Sequence, residues 1–200
     1  MIKKKKICFV IVNRANYGRV RSLMINIKNS RFFELQTVLI SSTLLKKYGS
    51  LNELIKNDGI KVNYQLFNHI EGENLYTMTR STGLALLDLS SAFQKLNPDM
   101  VFTIGDRYET LSTAITASFL NIFLVHLQGG ELTGSIDEYV RHSVTKLSNL
   151  HLVSTKKSRL RVIQMGESPN RVFNVGCPSI DIIKKTNLNK KINLKKYGHG

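Results

Sequence analysis

Short apolar runs alternate along this chain with stretches whose apolar residues repeat at helical spacing. The first run, Ile-Cys-Phe-Val-Ile-Val at 7–12, has no polar interruption. Unbroken runs of this kind are typical of strands that are buried on both faces of a parallel sheet. The predicted strands span residues 6–13, 33–41, 61–67, 100–104, 122–127, 151–154 and 171–175.

Between these strands, apolar residues three and four positions apart predict helices. Strands and helices alternate throughout, so we expect an α/β fold with a Rossmann-like, doubly wound and mostly parallel sheet. Helices with predicted bounds are 44–57, with a break near Gly49, 75–96, 135–147 and 155–166. Three more helices are predicted without exact bounds: one that carries Val20, Leu23, Met24 and Ile27, one that carries Leu111, Ile115 and Phe119, and a short last one after residue 179.

Three finer expectations concern the helices and their surroundings. Residues 14–18 are predicted to form a loop after the first strand. In the long helix at 75–96, Leu84, Leu87, Ser91 and residues 93–96 are expected near the buried face. We expect residues 1–184 to form one domain and the Lys/Asn-rich residues 185–200 to form a basic linker or frayed tail.

The net charge of +15 is concentrated at the two ends of the 200-residue chain. Four lysines at 3–6 and six after residue 183 carry most of it, so the body is only mildly basic. This balance suits an anionic small-molecule substrate. Solvated lysines are the preferred interpretation of the two ends, and we expect no nucleic-acid partner.

Composition excludes several other classes of protein. No apolar run approaches the length of a membrane span, so no membrane partner is expected. Cys8 and Cys177 fit neither a metal-ligand spacing nor a disulfide framework, so no metal site is expected and the cytoplasm is the default location. There is no G-x-G-x-x-G after the first strand and no P-loop motif, so neither standard phosphate-binding fingerprint is present.

Candidate acid/base carboxylates follow two of the predicted strands. Asp106 follows Gly105 at the end of one strand, and Glu131 follows Gly129 and Gly130 at the end of the next. Glycines allow a backbone to approach a ligand closely, and open α/β sheets build their sites at the carboxyl ends of strands. The alternatives are an N-cap role for Asp106 and a solvated loop position for Glu131.

The helix predicted at 135–147 begins with further polar candidates. Ser135 and Glu138 have the spacing of a capping box. Asp137 lies in the first turn, where the helix dipole favours a carboxylate, and it could pair with Arg141 one turn later. His142 is placed on the polar side, either as a proton carrier or phosphate ligand or as a surface histidine. Arg14, after the first strand, could bind phosphate or be a simple surface arginine.

These residues resemble those of the hydrolysing UDP-N-acetylglucosamine 2-epimerase family, whose members begin sialic and legionaminic acid synthesis. The resemblance covers nearly the whole chain to about residue 181, with its motifs in family order. The matching motifs are Asn-Arg-Ala-Asn-Tyr-Gly at 13–18, Gly-Asp-Arg-Tyr-Glu at 105–109, Gly-Gly-Glu at 129–131, Ile-Asp-Glu at 136–138, Arg-His at 141–142, Thr-Lys-Leu-Ser at 145–148, Arg-Val-Ile-Gln-Met-Gly-Glu at 161–167 and Gly-Cys-Pro-Ser at 176–179.

The resemblance implies one half of a glycosyltransferase-B-like architecture, in which two Rossmann-like domains face each other across a cleft. It implies elimination of UDP from UDP-N-acetylglucosamine to a glycal and then hydration to N-acetylmannosamine, without a cofactor and in a homo-oligomer. Asp106, Glu131 and Asp137 would supply acid/base catalysis, in roles that the sequence does not divide among them. The residues implied to contact the nucleotide sugar are Arg14, Ala15, Arg107, Gln128, Arg141 and His142.

Three departures from the family pattern are visible. Asn16 stands where relatives commonly have an acid, and Gln128 stands where some have a glutamate assigned to catalysis. Family members also continue into a second domain that supplies most of the nucleotide grip, so the isolated chain is expected to turn over poorly. A non-catalytic nucleotide-sugar-binding module is the alternative. A UDP- or GDP-linked diacetamido trideoxy sugar fits the resemblance as well as UDP-N-acetylglucosamine does.

Overall fold

A single seven-stranded sheet organises the chain in the computed structural model, which describes residues 3–45, 49, 51–72 and 74–185. All adjacent strands are parallel, in the order β3-β2-β1-β4-β5-β6-β7. The strands are β1 (Lys5–Ile11), β2 (Phe33–Ile40), β3 (Tyr64–Leu66), β4 (Met100–Ile104), β5 (Phe123–Leu127), β6 (Leu150–Val153) and β7 (Val172–Asn174).

Helices cover both faces of the sheet, which buries strands that are apolar on both sides. They are α1 (Arg14–Lys28), α2 (Leu51–Asn57), α3 (Leu75–Leu96), α4 (Tyr108–Phe119), α5 (Ile136–Leu147), α6 (Lys156–Gln164) and α7 (Pro178–Lys185), with short 3-10 helices at Ser41–Leu44 and Pro169–Arg171. One core cluster joins the sheet to α3, α4 and α5, and a second joins its other face to α1 and α2.

The strand order reverses between β1 and β4, which are neighbours in the sheet although two strands separate them in the chain. In open α/β sheets, ligands bind at such a switch point, in the crevice outside the carboxyl ends of the strands. The loops that follow β1 and β4 therefore mark where a site is expected.

The predicted alternation of strands and helices is confirmed. The helix at 75–96 and the strand at 100–104 have the predicted bounds, and the other strands agree within a few residues. The helix predicted at 44–57 is instead the 3-10 helix Ser41–Leu44 followed by α2. Residues 46–48 and 50, and the tail from 186 on, lie outside the described residues, so the predicted domain boundary stays a prediction.

The loop predicted at 14–18 is wrong, because α1 begins at Arg14. The side chain of Asn13 caps the helix by accepting the N–H of Asn16 at 2.7 Å. Tyr17 is buried beneath the first turn, and its hydroxyl donates to Asp58. A capped turn with a buried aromatic anchor forms a helix even though Gly18 interrupts its sequence.

The buried face predicted for α3 is confirmed only in part. Phe93 and Leu96 are buried, whereas Leu84 and Leu87 are 41% and 68% exposed. In α4, Phe119, one of the residues whose spacing predicted the helix, is 82% exposed. The side chains that α4 buries are mostly small, including Ser112, Thr113, Ala114, Thr116 and Ala117. Small side chains let α4 lie close to its neighbours, and apolar character alone did not identify that face. None of the helices in the described ranges is both long and apolar enough to cross a membrane.

Candidate active site

The loops after β1 and β4 flank a cavity of about 740 Å³ at the switch point. Arg14 and Ala15 line it from the start of α1, and Arg107 and Tyr108 line it from the start of α4. His69 closes it from the loop that follows β3. Three of the residues predicted to contact substrate, Arg14, Ala15 and Arg107, therefore share one cavity, whereas Asp106, Glu131 and Asp137 are not among its lining residues.

The carboxyl ends of the strands form a rim, and Arg141 lies buried beneath the part of this rim that carries Asp106 and Glu131. Its side chain is 2% exposed, and it donates to the Asp106 carboxylate through Nη2. Its Nη1 donates to the main-chain carbonyl of Glu131 at 2.7 Å and approaches Thr133 Oγ1 at 3.4 Å. One buried guanidinium thus fixes both the Asp106 side chain and the backbone that carries Glu131.

This arrangement overturns two alternatives considered for the carboxylates. Asp106 does not cap α4, because Arg107 occupies the N-cap position. Arg141 makes its ion pair with Asp106 and not with Asp137, its neighbour one turn earlier. The longer-range pair is the better one because the Arg141 side chain points into the protein, whereas Asp137 is exposed on the surface of α5.

The capping box predicted at Ser135 and Glu138 does not form. Ser135 is the N-cap residue of α5, but its side chain makes no cap hydrogen bond. The Glu138 carboxylate instead accepts the N–H groups of Gly134 at 2.9 Å and Thr133 at 2.7 Å. Those two bonds hold the pKa of Glu138 below its usual value and fix the loop that leads into the helix.

His142 lies partly buried beside this loop. Its Nε2 is 4.0 Å from Glu138 Oε1, but burial outweighs that charge and lowers the pKa of His142. At neutral pH the imidazole is therefore uncharged, which suits a hydrogen-bonding role better than that of a cationic phosphate ligand.

Gln128 connects the end of β5 with the segment that follows β7. It is 8% exposed, and its backbone has a left-handed φ of 64° at the end of β5. Its Oε1 accepts from Arg19 at 2.8 Å, and its Nε2 lies 3.7 Å from Cys177 Sγ. The end of β5 and the segment at 176–179 therefore meet, and neither Gln128 nor Cys177 is among the residues that line the large cavity.

The paired glycines after β5 serve helix packing, which revises the expectation that they admit a ligand. A Cβ on Gly129 would lie 3.0 Å from both His126 Nδ1 and Thr145 Oγ1. A Cβ on Gly130 would lie 2.5 Å from the carbonyl oxygen of Ser158 in α6. Both glycines are buried, so the neighbouring helices approach the turn too closely for any side chain.

A buried network around Glu109 was not among the predicted site residues. Glu109 is 1% exposed and receives two hydrogen bonds at 3.0 Å from the Arg107 guanidinium. Ser41 Oγ donates to the same carboxylate at 2.7 Å and lies 3.3 Å from His69 Nδ1. The hydroxyl of Tyr108 is 3.5 Å from that nitrogen, and burial raises the pKa of Tyr108. The network holds Arg107 and His69 at the wall of the cavity.

The sequence contains both Glu109 and Ser41 in recognisable motifs, but it does not show that they contact each other. Glu109 closes the Gly-Asp-Arg-Tyr-Glu motif, and Ser41 opens a hydroxyl-rich segment after the second strand. The two residues are 68 positions apart, and no local spacing shows that they touch.

Removing the arginine of this network tests how firmly it is held. We expect Arg107→Ala to lower the free energy of unfolding by about 2 kcal/mol, because the buried carboxylate of Glu109 loses both hydrogen bonds from the guanidinium. Urea unfolding measures the change. Arg80→Ala is the matched control, since exposed Arg80 bonds only to Tyr76 within the described residues and should cost less than about 0.5 kcal/mol. Equal losses would mean that the pair does not stabilise the fold.

His126 gives the fold a predictable pH dependence. It is fully buried, and burial lowers its pKa from 6.5 to about 4. Its Nε2 lies 3.0 Å from the Gly105 carbonyl and its Nδ1 3.2 Å from Thr145 Oγ1, which fits a neutral ring with the proton on Nε2. Between these two pKa values the unfolded chain binds the proton and the folded chain does not.

We therefore expect the stability that His126 contributes to be fully present above about pH 6.5 and to fall by about 3 kcal/mol as the pH drops toward 4. Urea unfolding across that range measures the slope. His126→Gln should remove most of it, and His142→Gln should remove less because His142 is only partly buried. A slope unchanged in His126→Gln would contradict the assignment.

Comparison with known proteins decides the family. The family model described as UDP-N-acetylglucosamine 2-epimerase matches residues 26–199. The chain belongs to the UDP-N-acetylglucosamine 2-epimerase family. It is 38% identical over 196 residues to a GDP/UDP-N,N'-diacetylbacillosamine 2-epimerase (hydrolyzing) of Campylobacter jejuni, covering 98% of this chain and 51% of that protein. It is 36% identical to a UDP-N,N'-diacetylbacillosamine 2-epimerase (hydrolyzing) of Legionella pneumophila, covering 97% of this chain and 52% of that protein.

Solved structures confirm the fold class. The S. aureus MnaA–UDP structure superposes with a TM-score of 0.82 at 22% identity, over 97% of this chain and 51% of that one. The Neisseria meningitidis UDP-GlcNAc 2-epimerase bound to UDP-GlcNAc gives a TM-score of 0.76 at 17% identity, over 96% and 54%. The epimerase-family chain thus has the expected Rossmann-like fold, and it spans about half the length of the curated relatives it matches.

No group of three or more His, Cys, Asp or Glu side chains within the described ranges is arranged to hold a metal ion.

Proposed function

We propose that this epimerase-family domain takes part in hydrolysing 2-epimerisation of a nucleotide sugar. The substrate is a UDP- or GDP-linked 2-acetamido sugar, and the products are the free sugar epimerised at C2 and the nucleoside diphosphate. The observation that carries the proposal is the match to two curated hydrolysing 2-epimerases at 36–38% identity over nearly the whole chain. The position of the cavity and carboxylates at the switch point of the sheet supports it.

The chemistry has two steps, and each makes a demand on the domain. Elimination removes the proton at C2 and breaks the bond between C1 and the nucleotide oxygen, which leaves a glycal. Hydration then adds water across the double bond, with the proton returning to C2 from the opposite face. A carboxylate near C2, an acid that delivers that proton and cations near the leaving phosphate are therefore needed.

The rim offers groups for each of these roles. Asp106, oriented by Arg141, half-buried Glu131 and exposed Asp137 are the proposed acid/base carboxylates. Arg14 and Arg107 in the cavity are proposed to face the anionic part of the substrate, together with Ala15 at the start of α1. Gln128, Arg141 and His142 are proposed to contact or position the sugar from the side of β5 and α5.

Glu131 is the proposed catalyst whose removal should disturb the fold least. Its backbone carbonyl binds Arg141, but Glu131→Gln keeps that carbonyl and changes only the carboxylate. In a protein that turns over substrate, we expect kcat to fall at least about 100-fold with an unchanged unfolding midpoint. Release of nucleoside diphosphate measures the rate, with exposed Glu34→Gln as the control. Full activity in Glu131→Gln would remove Glu131 from the mechanism.

The experiment that tests the function supplies two nucleotide sugars to two proteins. The chain alone, and the chain fused to the second half of the Campylobacter jejuni relative, are incubated with UDP-N-acetylglucosamine and with UDP-N,N'-diacetylbacillosamine. Proton NMR follows the free sugar and the nucleotide together. We expect turnover by the fusion and little by the chain alone. Binding of UDP without turnover by either protein would favour the non-catalytic binding module.

The cellular setting and assembly belong to the same proposal. We place the protein in the cytoplasm, in the synthesis of a sialic-acid-type sugar, and a 36% identical Escherichia coli relative is named as a polysialic acid biosynthesis protein.

We also expect a homo-oligomer. The exposed face of α3 that carries Leu84 and Leu87 supports this expectation. Gly83 lies on the same helix, and a Cβ added to it would have no heavy atom within 4 Å, so a second subunit has room to pack closely there. Light scattering on Leu87→Lys, with a smaller mass expected, tests that face.

A further inference from the structure

The end of the sheet opposite the candidate active site carries large apolar side chains that water can reach. Phe32 and Phe33, at the start of β2, are 45% and 38% exposed. Phe119 and Leu120, at the end of α4, are 82% and 45% exposed, and Phe123, at the start of β5, is 41% exposed. We call these five residues the amino-end patch.

The strand register joins the two halves of the patch into one row. Lys5 pairs with Phe33 across β1 and β2, and the N–H of Lys5 donates to the Phe32 carbonyl at 2.9 Å. On the other side, Met100 at the start of β4 pairs with Phe123. Met100 pairs with Ile7, two residues after Lys5, so Phe33 and Phe123 are separated by three strand spacings and are also staggered by two residues along the strands, about 16 Å in all.

Cations outnumber carboxylates around this row. Lys3, Lys4 and Lys5 are exposed, and the Arg31 guanidinium lies 4.8 Å over the ring of Phe32. Lys28 and Lys95 lie at the C-terminal ends of α1 and α3, at the same end of the sheet. The carboxylates at this end include Asp99, which is already bound by Lys5 at 2.9 Å and by the N–H of Lys6 at 2.8 Å, Asp58, which is paired with Arg21 beside Lys28, and exposed Glu34.

Solvation of a lysine run explains the charge but not the aromatic side chains beside it. Single exposed apolar residues are ordinary on protein surfaces, whereas several that cluster on one end mark a contact surface. Phenylalanine rings with lysine and arginine around them are the combination that enters the boundary between acyl chains and anionic headgroups. We propose that the amino-end patch docks on a membrane surface rich in anionic lipid.

Two other occupants fit the patch less well. A second copy related by two-fold symmetry would place the same surface against itself and bring lysines against lysines. Single-stranded nucleic acid binds by stacking bases on free ring faces along a basic groove. Here Arg31 covers the Phe32 ring, and Leu120 in the row offers no ring face.

The location of the patch is compatible with the rest of the molecule. Docking through the amino ends of the strands leaves the carboxyl-end rim, with its cavity and carboxylates, facing away from the lipid. The contact is peripheral, so it needs no spanning helix, and it does not depend on the proposed epimerase activity. The cytoplasmic leaflet of a membrane carries the negative surface potential that such a patch requires.

Vesicle sedimentation with the 200-residue chain tests the proposal. The probes are vesicles of phosphatidylcholine alone and of phosphatidylcholine mixed with phosphatidylglycerol, at low and high salt. We expect binding to the anionic vesicles only, weakened by salt. Lys3→Gln/Lys4→Gln should lower the partition coefficient about 25-fold, at about five-fold for each cation. Phe119→Ser/Phe123→Ser should lower it at least about ten-fold.

The control removes equally exposed apolar side chains from elsewhere. Leu160→Ser/Phe173→Ser, at residues 58% and 48% exposed, should leave vesicle binding unchanged. Circular dichroism confirms that each variant folds. Absence of binding to anionic vesicles, equal binding to neutral ones, or an equal loss in the control would overturn the proposal. Binding of the unmodified chain to single-stranded RNA that is tighter than its binding to anionic vesicles would also overturn it. So would a change in oligomeric mass on Phe119→Ser/Phe123→Ser when the unmodified chain binds no lipid.

Discussion

Replacing Asp106 with alanine is expected to lower the free energy of unfolding by about 4 kcal/mol. The cost comes from Arg141, whose side chain is 2% exposed and keeps its charge without a counter-ion. The carbonyl of Glu131 and the hydroxyl of Thr133 remain as acceptors, but neither carries a charge. A buried cation that has lost its carboxylate is far less stable than one that is paired. Urea unfolding of the 200-residue chain measures the loss.

Asp137→Ala is the matched control for this experiment. Asp137 is also a proposed catalyst, but it is exposed in the first turn of α5 and contributes through the helix dipole. Its removal should cost less than about 1 kcal/mol. In the fusion protein both variants should lose turnover, whereas only Asp106→Ala should lose stability. Similar unfolding midpoints for the two variants would contradict the view that Arg141 depends on Asp106.

This difference matters for interpreting any activity loss at Asp106. The same carboxylate neutralises the buried guanidinium and stands at the rim, so a variant that destroys the pair also displaces the loop that carries Glu131. Asp106→Asn keeps a hydrogen-bond acceptor for Arg141 but also leaves that cation without a counter-ion, so it too should lose stability, although less than Asp106→Ala. An activity loss in either variant therefore counts toward a catalytic role only where the unfolding midpoint shows that the variant is folded under the assay conditions.

The sequence predicted the layers of the fold because periodicity is a local property. Strands buried on both faces are apolar without interruption, as at residues 7–12, and the apolar residues of helices repeat every three or four positions. The placement of Asp106 and Arg14 on a common edge also followed, since the carboxyl ends of parallel strands lie together. Both are properties of the chain's order and need no knowledge of side-chain contacts.

Contacts between distant segments could not be predicted in this way. Arg141 had a plausible local partner in Asp137, four residues away, and its actual partner Asp106 is 35 residues away. The capping box failed for a similar reason, since Glu138 reaches back to the loop at 133–134 and not to Ser135. Local spacing identifies which partners are possible, and the packing of α4 against α5 decides among them.

Gly130→Ala is expected to destabilise the chain by about 4 kcal/mol, because two penalties act at once. The residue has φ +80°, where a Cβ costs about 1–2 kcal/mol. The added Cβ would also lie 2.5 Å from the Ser158 carbonyl oxygen and 2.8 Å from Val162 Cγ2, and overpacking of this kind costs about 1–3 kcal/mol. Relief requires α6 to move as a unit, since the nearest atom belongs to its backbone.

Gly134→Ala separates the two penalties. Gly134 has φ +68°, but nothing lies within 4 Å of its added Cβ, so only the conformational cost of about 1–2 kcal/mol applies. Gly130→Ala combined with Val162→Ala should recover little stability, because the Ser158 carbonyl stays in place. Urea unfolding of the three variants measures the differences. Equal losses at Gly130 and Gly134 would mean that backbone conformation alone requires glycine at 130, and that α6 does not approach the turn as closely as the structure indicates.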